Sequence, residues 1–192
     1  MVLGVNPDLT WRDVQHILAN SSTVIDDFHS DWWVNGGGYK HNHNYGFGLI
    51  NPGRAVEMAK VWKPVPKYYS FSISNHKSTP IKDGKHFIVS FSPKKSKIRF
   101  IEHIEVELKL IHDRKGQLDI KLVNDFGTVS HLSVPHEDFS DFPLDGWIYT
   151  SVRHWGENVT QNWKLIILDS EIDDDVNGGM YISSKITFYG QK

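Results

Sequence analysis

The sequence predicts a mainly β protein, in which a β-sandwich of jelly-roll type follows a helical segment. Apolar residues recur at helical spacing only up to about residue 62. Pro64 and Pro66 then interrupt the chain, and the following residues alternate between apolar and polar. We therefore divide the chain into a helical part (1–62), a linker (63–67) and a sandwich (68–192). The alternation does not choose among sandwich topologies.

Length and composition are those of a globular protein with no bulk affinity for polyanions. The 192 residues suffice for one domain, or for one domain and a fragment of another. The net charge of −2 argues against nucleic acid or an acidic membrane surface as a partner. No apolar run approaches the roughly 18 residues of a transmembrane helix, and no signal peptide is visible. The absence of cysteine excludes disulfides, cysteine zinc sites and a cysteine nucleophile.

Two helices are predicted in the helical part. Thr10 and Asp13 form a start that resembles a capping box, and apolar residues at helical spacing predict an amphipathic helix over 11–19. Further on, Asn51–Pro52 combines a good N-cap with a good first helical residue. This second helix is predicted to end near residue 61.

The polar stretch 20–44 lies between these helices and is predicted to be an exposed or ligand-facing loop. It contains the pair Trp32–Trp33 and three glycines at 36–38. His41 and His43 stand two apart, which suits two metal ligands on one strand face. Because no cysteine and no helical pair of histidines completes a set, solvated loop histidines are the alternative.

Short strands with a period of two fill the sandwich, separated by turn signals that contain glycine. The stretch 147–169 is predicted to be its core, with two strands joined by a polar loop. It holds Trp147, Trp155 and Trp163, which we interpret as structural residues. The predicted strands are 69–74, 87–91, 104–110, 118–122, 147–152, 163–169 and 181–189.

An acidic loop offers weak candidates for a calcium site. Asp173, Asp175 and Asn177 match the first half of an EF-hand loop, and Gly178 follows them. The twelfth position holds Ser184 in place of the bidentate glutamate, so an EF-hand is not predicted. A loose calcium site and a solvated hairpin loop remain as the two interpretations of this acidic loop.

Neither a nucleophile nor a nucleic-acid site is evident from the residues. The sequence contains no Gly-x-Ser-x-Gly elbow. Lys94, Lys95 and Lys97 precede Arg99, but no aromatic residues are interleaved with them. We interpret these cations as a solvated edge that discourages strand addition.

Several motifs resemble the kexin- and furin-like proprotein convertases, which are subtilisin-like serine endopeptidases. Asn6–Gln15 resembles the family segment just after the catalytic serine helix, and Tyr45–Asn51 resembles the closing motif of the catalytic domain. Residues 68–192 resemble the family's P domain (Homo B domain), a jelly-roll sandwich. The matching pieces are Ile101–His103, Gly116–Leu122, Phe126–Thr128, Trp155–Asn158 and Asn162–Leu165.

This resemblance implies a parent enzyme that uses calcium and cleaves precursor proteins after basic residues. Its location would be the secretory pathway, in the Golgi or trans-Golgi, membrane-associated or secreted. Residues 1–62 would be the helical end of the α/β catalytic domain, and the rest of that domain would be the partner of this chain. Trp11, Trp32, Trp33 and Trp62 are candidates for this contact or for the helical core.

The family's triad motifs are absent from the sequence. No Gly-Thr-Ser-x-Ala-Ala-Pro segment precedes Asn6–Gln15, and Met1–Gly4 would match the end of the serine helix. No catalytic or cofactor-binding residue is therefore carried over, and we expect the chain alone to be inactive. A truncated product or an incomplete gene model would explain this.

Two alternatives and two modification sites complete the predictions. The chain could be a free-standing, non-catalytic module that binds protein or carbohydrate, or a pseudoprotease that regulates a full convertase. Asn20 and Asn158 begin glycosylation sequons. A secretory parent favours Asn158, which lies in a loop predicted to be exposed.

Overall fold

A computed structural model describes residues 1–138, 143–170 and 178–192. The helical part contains α1 (Val2–Val5), α2 (Trp11–Ser21) and α3 (Pro52–Lys60), with a short ribbon of β1 (Trp33–Val34) and β2 (Lys40–His41). Both predicted helices are confirmed, and both begin at the predicted caps. The Thr10 side chain accepts from the Asp13 backbone N–H, while the Asp13 side chain accepts from the Thr10 backbone N–H. Asn51 accepts from the N–H of Arg54.

Nine strands follow within the described residues, all paired antiparallel, so the mainly β class is confirmed. They are β3 (Tyr68–Asn75), β4 (Thr79–Pro80), β5 (His86–Phe91), β6 (Phe100–Ile111), β7 (Leu118–Asn124), β8 (Val129–Ser133), β9 (Leu144–Ser151), β10 (Trp163–Asp169) and β11 (Met180–Gln191). One sheet has the order β5-β10-β7-β8 and the other β3-β11-β6-β9, with β4 also paired to β11. All seven predicted strands are present; β4 and β8 are additional.

The core lies between the two sheets and forms one cluster. Alternate residues of β6, among them Ile104, Val106 and Leu108, are fully buried in it. In the other sheet Leu165 and Ile167 of β10 occupy the same cluster. The period of two places these residues on one face of each strand. Burial of their apolar surface is the main force that holds the sheets together.

The prediction that 147–152 and 163–169 form one buried strand pair is wrong. β9 is the end strand of one sheet, whereas β10 lies between β5 and β7 in the other. Trp163 and Trp155 are 0% and 3% exposed, but Trp147 is 58% exposed. Trp147 pairs in register with the buried Leu108, but lies on the strand at the end of its sheet.

A second, smaller cluster holds the helical part together. Ile17, Ala55 and Ala59 are buried between α2 and α3, and Trp62 packs against them. The linker is also fixed, because Asp13 accepts hydrogen bonds from the indole of Trp62 and from the backbone N–H of Val65. Within the described residues, no helix has the length and apolar character needed to cross a bilayer.

Replacement of Trp163 by alanine tests the assignment of the core. Because this side chain is fully buried, we expect Trp163→Ala to lower the free energy of unfolding by about 3–5 kcal/mol. The exposed Trp147 is a matched control, for which we expect a loss below about 1 kcal/mol. Urea denaturation of both variants measures the difference, and equal losses would contradict the packing described above.

Candidate functional site

Buried polar and charged side chains line the contact between the helical part and the sandwich. We call this set the polar interface: Arg12, His16, Asn35, His41, Glu102, Arg153, His154 and Glu157. Buried charges are stable only when they are paired and hydrogen-bonded, so each partner in this contact matters. Three groups of contacts make up the interface.

The first group joins α2 to β6 through Glu102. Arg12 donates from Nε (2.8 Å) and Nη2 (2.5 Å) to the two oxygens of Glu102, and from Nη1 to the carbonyl oxygen of Pro66 (2.8 Å). His16 Nε2 lies 3.2 Å from the same carboxylate. Burial alone would raise the pKa of Glu102, but hydrogen bonds from Arg12 and His16 lower it below its usual value.

A β-bulge directs Glu102 towards α2. In the pairing of β6 with β11, His103 is opposite Tyr189 and Ile101 is opposite Gly190, which leaves Glu102 as the extra residue. Such an insertion bends the strand locally and changes the direction of a side chain. A Cβ atom on Gly190 would lie 2.1 Å from the Phe100 carbonyl oxygen, so the bulge needs glycine there.

The second group is centred on the carboxylate of Glu157, which lies in the loop between β9 and β10. Its Oε1 accepts from the backbone N–H of Gly36 (2.7 Å) and from the hydroxyl of Thr128 (2.5 Å). Its Oε2 accepts from Asn124 and lies 2.8 Å from Nδ1 of His154. Burial would raise the pKa of Glu157, and hydrogen bonds from His154, Thr128 and Gly36 lower it.

Asn35 fixes the glycine-rich loop beside this carboxylate. Its side-chain amide donates to the carbonyl oxygens of Arg153 and Trp155, both at 2.9 Å. Its Oδ1 accepts from the N–H groups of Gly37 and Tyr39. A Cβ atom on Gly37 would lie 2.4 Å from the Trp155 oxygen, which explains a glycine at this position. The predicted exposed or ligand-facing loop over 20–44 therefore contains a buried residue, Asn35, whereas Gly36 and Gly38 beside it are exposed.

The third group surrounds Asp31. Arg153 donates from Nη2 to its Oδ1 (3.1 Å), and His43 Nδ1 lies 2.9 Å from its Oδ2. Burial would raise the pKa of Asp31, but the hydrogen bonds from His43 and the charge of Arg153 lower it to about 2. Burial and the same arginine lower the pKa of His41 to about 4, so this ring is neutral at pH 7.

The Asp31–His43 pair resembles an acid–base pair but has no reactive position. His43 Nε2 accepts from the backbone N–H of His131 (3.0 Å), so both ring nitrogens have partners. Within 1–138, 143–170 and 178–192, no three His, Asp or Glu side chains are grouped to hold a metal ion. A metal site at His41 and His43 therefore has no support, and His41 is buried rather than solvated.

The remaining predicted site residues do not belong to the polar interface. The calcium candidates Asp173, Asp175 and Asn177 lie outside the described residues. Asn158 is exposed, and its Oδ1 accepts from the N–H and the hydroxyl of Thr160, the third residue of its sequon. Asn20 is exposed in the last turn of α2, where its side-chain amide donates to the His16 carbonyl oxygen.

Two of the four candidate tryptophans lie where the helical part meets the linker and β3. The edge of Trp11 meets the ring of Tyr68, the first residue of β3, at 5.9 Å between ring centroids. Trp62 packs in the helical core. The other two lie between α2 and α3, where Trp32 stacks on Tyr45 and Trp33 begins β1.

Sequence patterns alone assigned no role to Arg12, Glu102, Arg153 and Glu157. Three of them lay inside quoted motifs, Asn6–Gln15, Ile101–His103 and Trp155–Asn158. The signal that could have identified them is a charged residue directly beside residues expected in the core. Some of their partners are far away along the chain: Arg12 and Glu102 are 90 positions apart, and Gly36 and Glu157 are 121 positions apart.

Comparison with known proteins agrees with these motifs. Residues 101–180 match the family described as Proprotein convertase P-domain. The chain is 33% identical over 199 residues to mouse proprotein convertase subtilisin/kexin type 7, covering 99% of the chain and 26% of that relative. It is 32% identical to the mouse type 4 enzyme, covering 98% of the chain and 29% of the relative. The chain thus spans about a quarter of the length of these relatives.

A solved structure supports the fold. The serine protease of Aeromonas sobria, in complex with its chaperone, superimposes with a TM-score of 0.84 at 20% identity, covering 99% of this chain and 41% of that one. At this identity the likeness concerns the fold alone. The sequence matches carry the comparison: residues 101–180 match the P domain of the proprotein convertases, and nearly the whole chain is similar to a segment of these enzymes.

Proposed function

We propose that this chain is the part of a convertase that stabilises the end of its subtilisin-like catalytic domain. Residues 1–62 are the last elements of that domain, 63–67 are the linker, and 68–192 are the P domain. The parent enzyme is a calcium-dependent serine endopeptidase that cleaves precursor proteins after basic residues in the secretory pathway. This segment contains no triad residue and does not itself carry out the cleavage.

The observation that carries this proposal is the buried pair of Arg12 and Glu102. Glu102 is only 1% exposed, so its carboxylate requires a partner. That partner, Arg12, comes from α2 in the helical part. Arg12 also donates to the linker at Pro66, so helix, linker and sandwich share one side chain. Loss of the sandwich would leave this guanidinium without its carboxylate, and loss of the helix would leave the carboxylate buried and unpaired.

The other side of the helical part presents an apolar surface that fits the rest of the catalytic domain. Met1, Leu3 and Ile50 are more than half exposed, although all three are apolar. With Val14 and Leu18 they line a groove of about 310 Å³. Contiguous exposed apolar surface of this kind marks a contact with another part of a protein. We infer that the rest of the subtilisin-like catalytic domain is the partner that covers this surface.

Cleavage of a fluorogenic peptide with two adjacent basic residues tests the proposed function. We expect no cleavage by this chain alone, with or without calcium, because it lacks the nucleophile and base. A chimera in which this chain replaces the matching region of mouse type 7 convertase is expected to cleave the peptide. A control that lacks this region should be less stable and less active. Cleavage by the chain alone, or equal stability and activity of chimera and control, would contradict the proposal.

Substitution of Arg12 measures the coupling between the two parts. Arg12→Met leaves Glu102 buried without its main partner, and we expect a loss of about 3–5 kcal/mol in the free energy of unfolding. The double variant Arg12→Met/Glu102→Met removes both charges and should recover most of that loss. Lys60→Met is the control, because its pair with Glu57 is exposed and should matter little. A small effect of Arg12→Met in urea denaturation would contradict the proposed coupling.

We also propose that Asn158 carries a glycan in the secretory pathway. The residue is exposed in an irregular loop, whereas Asn20 lies in a helix with its amide hydrogen-bonded to backbone. After expression with a signal peptide in a eukaryotic cell, Asn158→Gln should abolish the mobility shift caused by a deglycosylating enzyme. Asn20→Gln should leave that shift unchanged. The reverse pattern would show that the loop is not the acceptor.

A further inference from the structure

Exposed cations gather around the start of β3. Lys94, Lys95, Lys97 and Arg99 precede β6, and Lys67 is the last residue of the linker. Segments 63–71 and 92–99 contain no acidic residue. Among the described residues none of the five forms an ion pair. We call these five residues the basic patch.

Some lysines outside the basic patch are paired with carboxylates. Lys60, Lys109 and Lys121 each lie within 2.8 Å of a carboxylate oxygen, and Lys185 pairs with Glu107. The basic patch differs from these four positions, where a nearby carboxylate neutralises the positive charge. Unpaired cations close together repel one another, and an anion that binds to several of them relieves that repulsion.

The strand pairing brings the two basic segments to one place. The N–H of Arg99 donates to the carbonyl oxygen of Gln191 (2.8 Å), and Gln191 is the register partner of Tyr68. Lys95 and Lys97 line a groove of about 520 Å³ together with Tyr69 and Phe71. Lys67 lies over the ring of Tyr69, 5.8 Å from its centroid. Lys67, Lys95 and Lys97 of the basic patch thus border one open groove along β3.

The chemistry of the groove favours an anionic sugar chain over a nucleic acid. Single-stranded nucleic acids need free aromatic faces on which the bases stack. Tyr69 is covered by Lys67, and Phe71 packs on Phe188 in the core (6.4 Å between ring centroids). What remains is a set of flexible ammonium groups that act as point charges, together with the hydroxyls of Ser70 and Ser96.

We propose that the basic patch binds a sulfated linear polysaccharide. Lys94, Lys95 and Lys97 lie within four consecutive positions of one exposed loop, and short lysine-rich runs of this kind are typical of heparin-binding surfaces. A chain of closely spaced sulfates can contact several of these cations at once. Because the net charge of the protein is −2, the attraction is local and acts within about 8 Å at physiological salt. This inference is independent of the proposed stabilising role.

Protection of the β3 edge is the competing explanation. Lysines beside an end strand discourage pairing with another sheet. That role requires positive charge but no ligand, so it predicts aggregation of neutralised variants and no specific binding of a sulfated sugar. Binding measurements therefore distinguish the two explanations.

Calorimetric titration of the whole chain with a heparin octasaccharide tests the proposal. We expect Lys95→Gln/Lys97→Gln to weaken binding about tenfold at about 0.1 M salt, and to reduce the slope of log K against log salt by about two. Lys94→Gln alone should give a smaller loss with a slope change of about one. The control Lys109→Gln/Lys185→Gln changes the net charge equally and should bind as the unaltered chain does, with all variants unfolding at the same temperature.

Four outcomes would overturn the proposal. The first is that the unaltered chain does not bind the octasaccharide, and the second is that the control pair weakens binding as much as the patch variants do. The third is equal affinity for the desulfated octasaccharide. The fourth is equal or tighter binding of a single-stranded RNA, a poly-glutamate peptide or phosphatidylserine vesicles. The last result would assign the patch to another class of polyanion. Aggregation of the variants with unchanged sugar binding would support edge protection instead.

Discussion

The arrangement of the two parts depends on one buried carboxylate. Glu102 is removed from water by the fold, and its charge is stabilised by a guanidinium that belongs to α2. Placing a carboxylate in this position is costly unless its partner arrives with correct geometry. The pair therefore contributes specificity more than net stability: it allows only one relative placement of helix and sandwich. The contacts of Glu157 and Asp31 require the same placement, since all three groups join the same two parts.

The sandwich and the polar interface have different kinds of stability. The core between the sheets is apolar and continuous, so its burial depends little on detailed geometry. The interface consists of groups whose partners are specific, and removal of one member leaves another buried and unsatisfied. The interface therefore forms only when both parts are in place.

The periodicity of apolar residues and the helix-capping residues were sufficient to predict much of the fold. The alternation of β10 predicted its bounds, and Thr10 with Asp13 predicted the start of α2, because these signals are local. The pairing of strands 147–152 and 163–169 was mispredicted, since neighbours in sequence belong to opposite sheets. Glu102 was missed because its role depends on a bulge and on a residue 90 positions away. Both depend on tertiary context, which periodicity does not encode.

The linker between α3 and β3 has a mechanical consequence. A short segment with two prolines between two modules would ordinarily serve as a hinge. Here Asp13 accepts from the N–H of Val65, and Arg12 donates to the carbonyl oxygen of Pro66. Both groups lie within α2, so the segment is held at two successive residues and acts as a strut. A force on the sandwich is therefore transmitted to the first turn of α2. It is not absorbed by rotation of the linker.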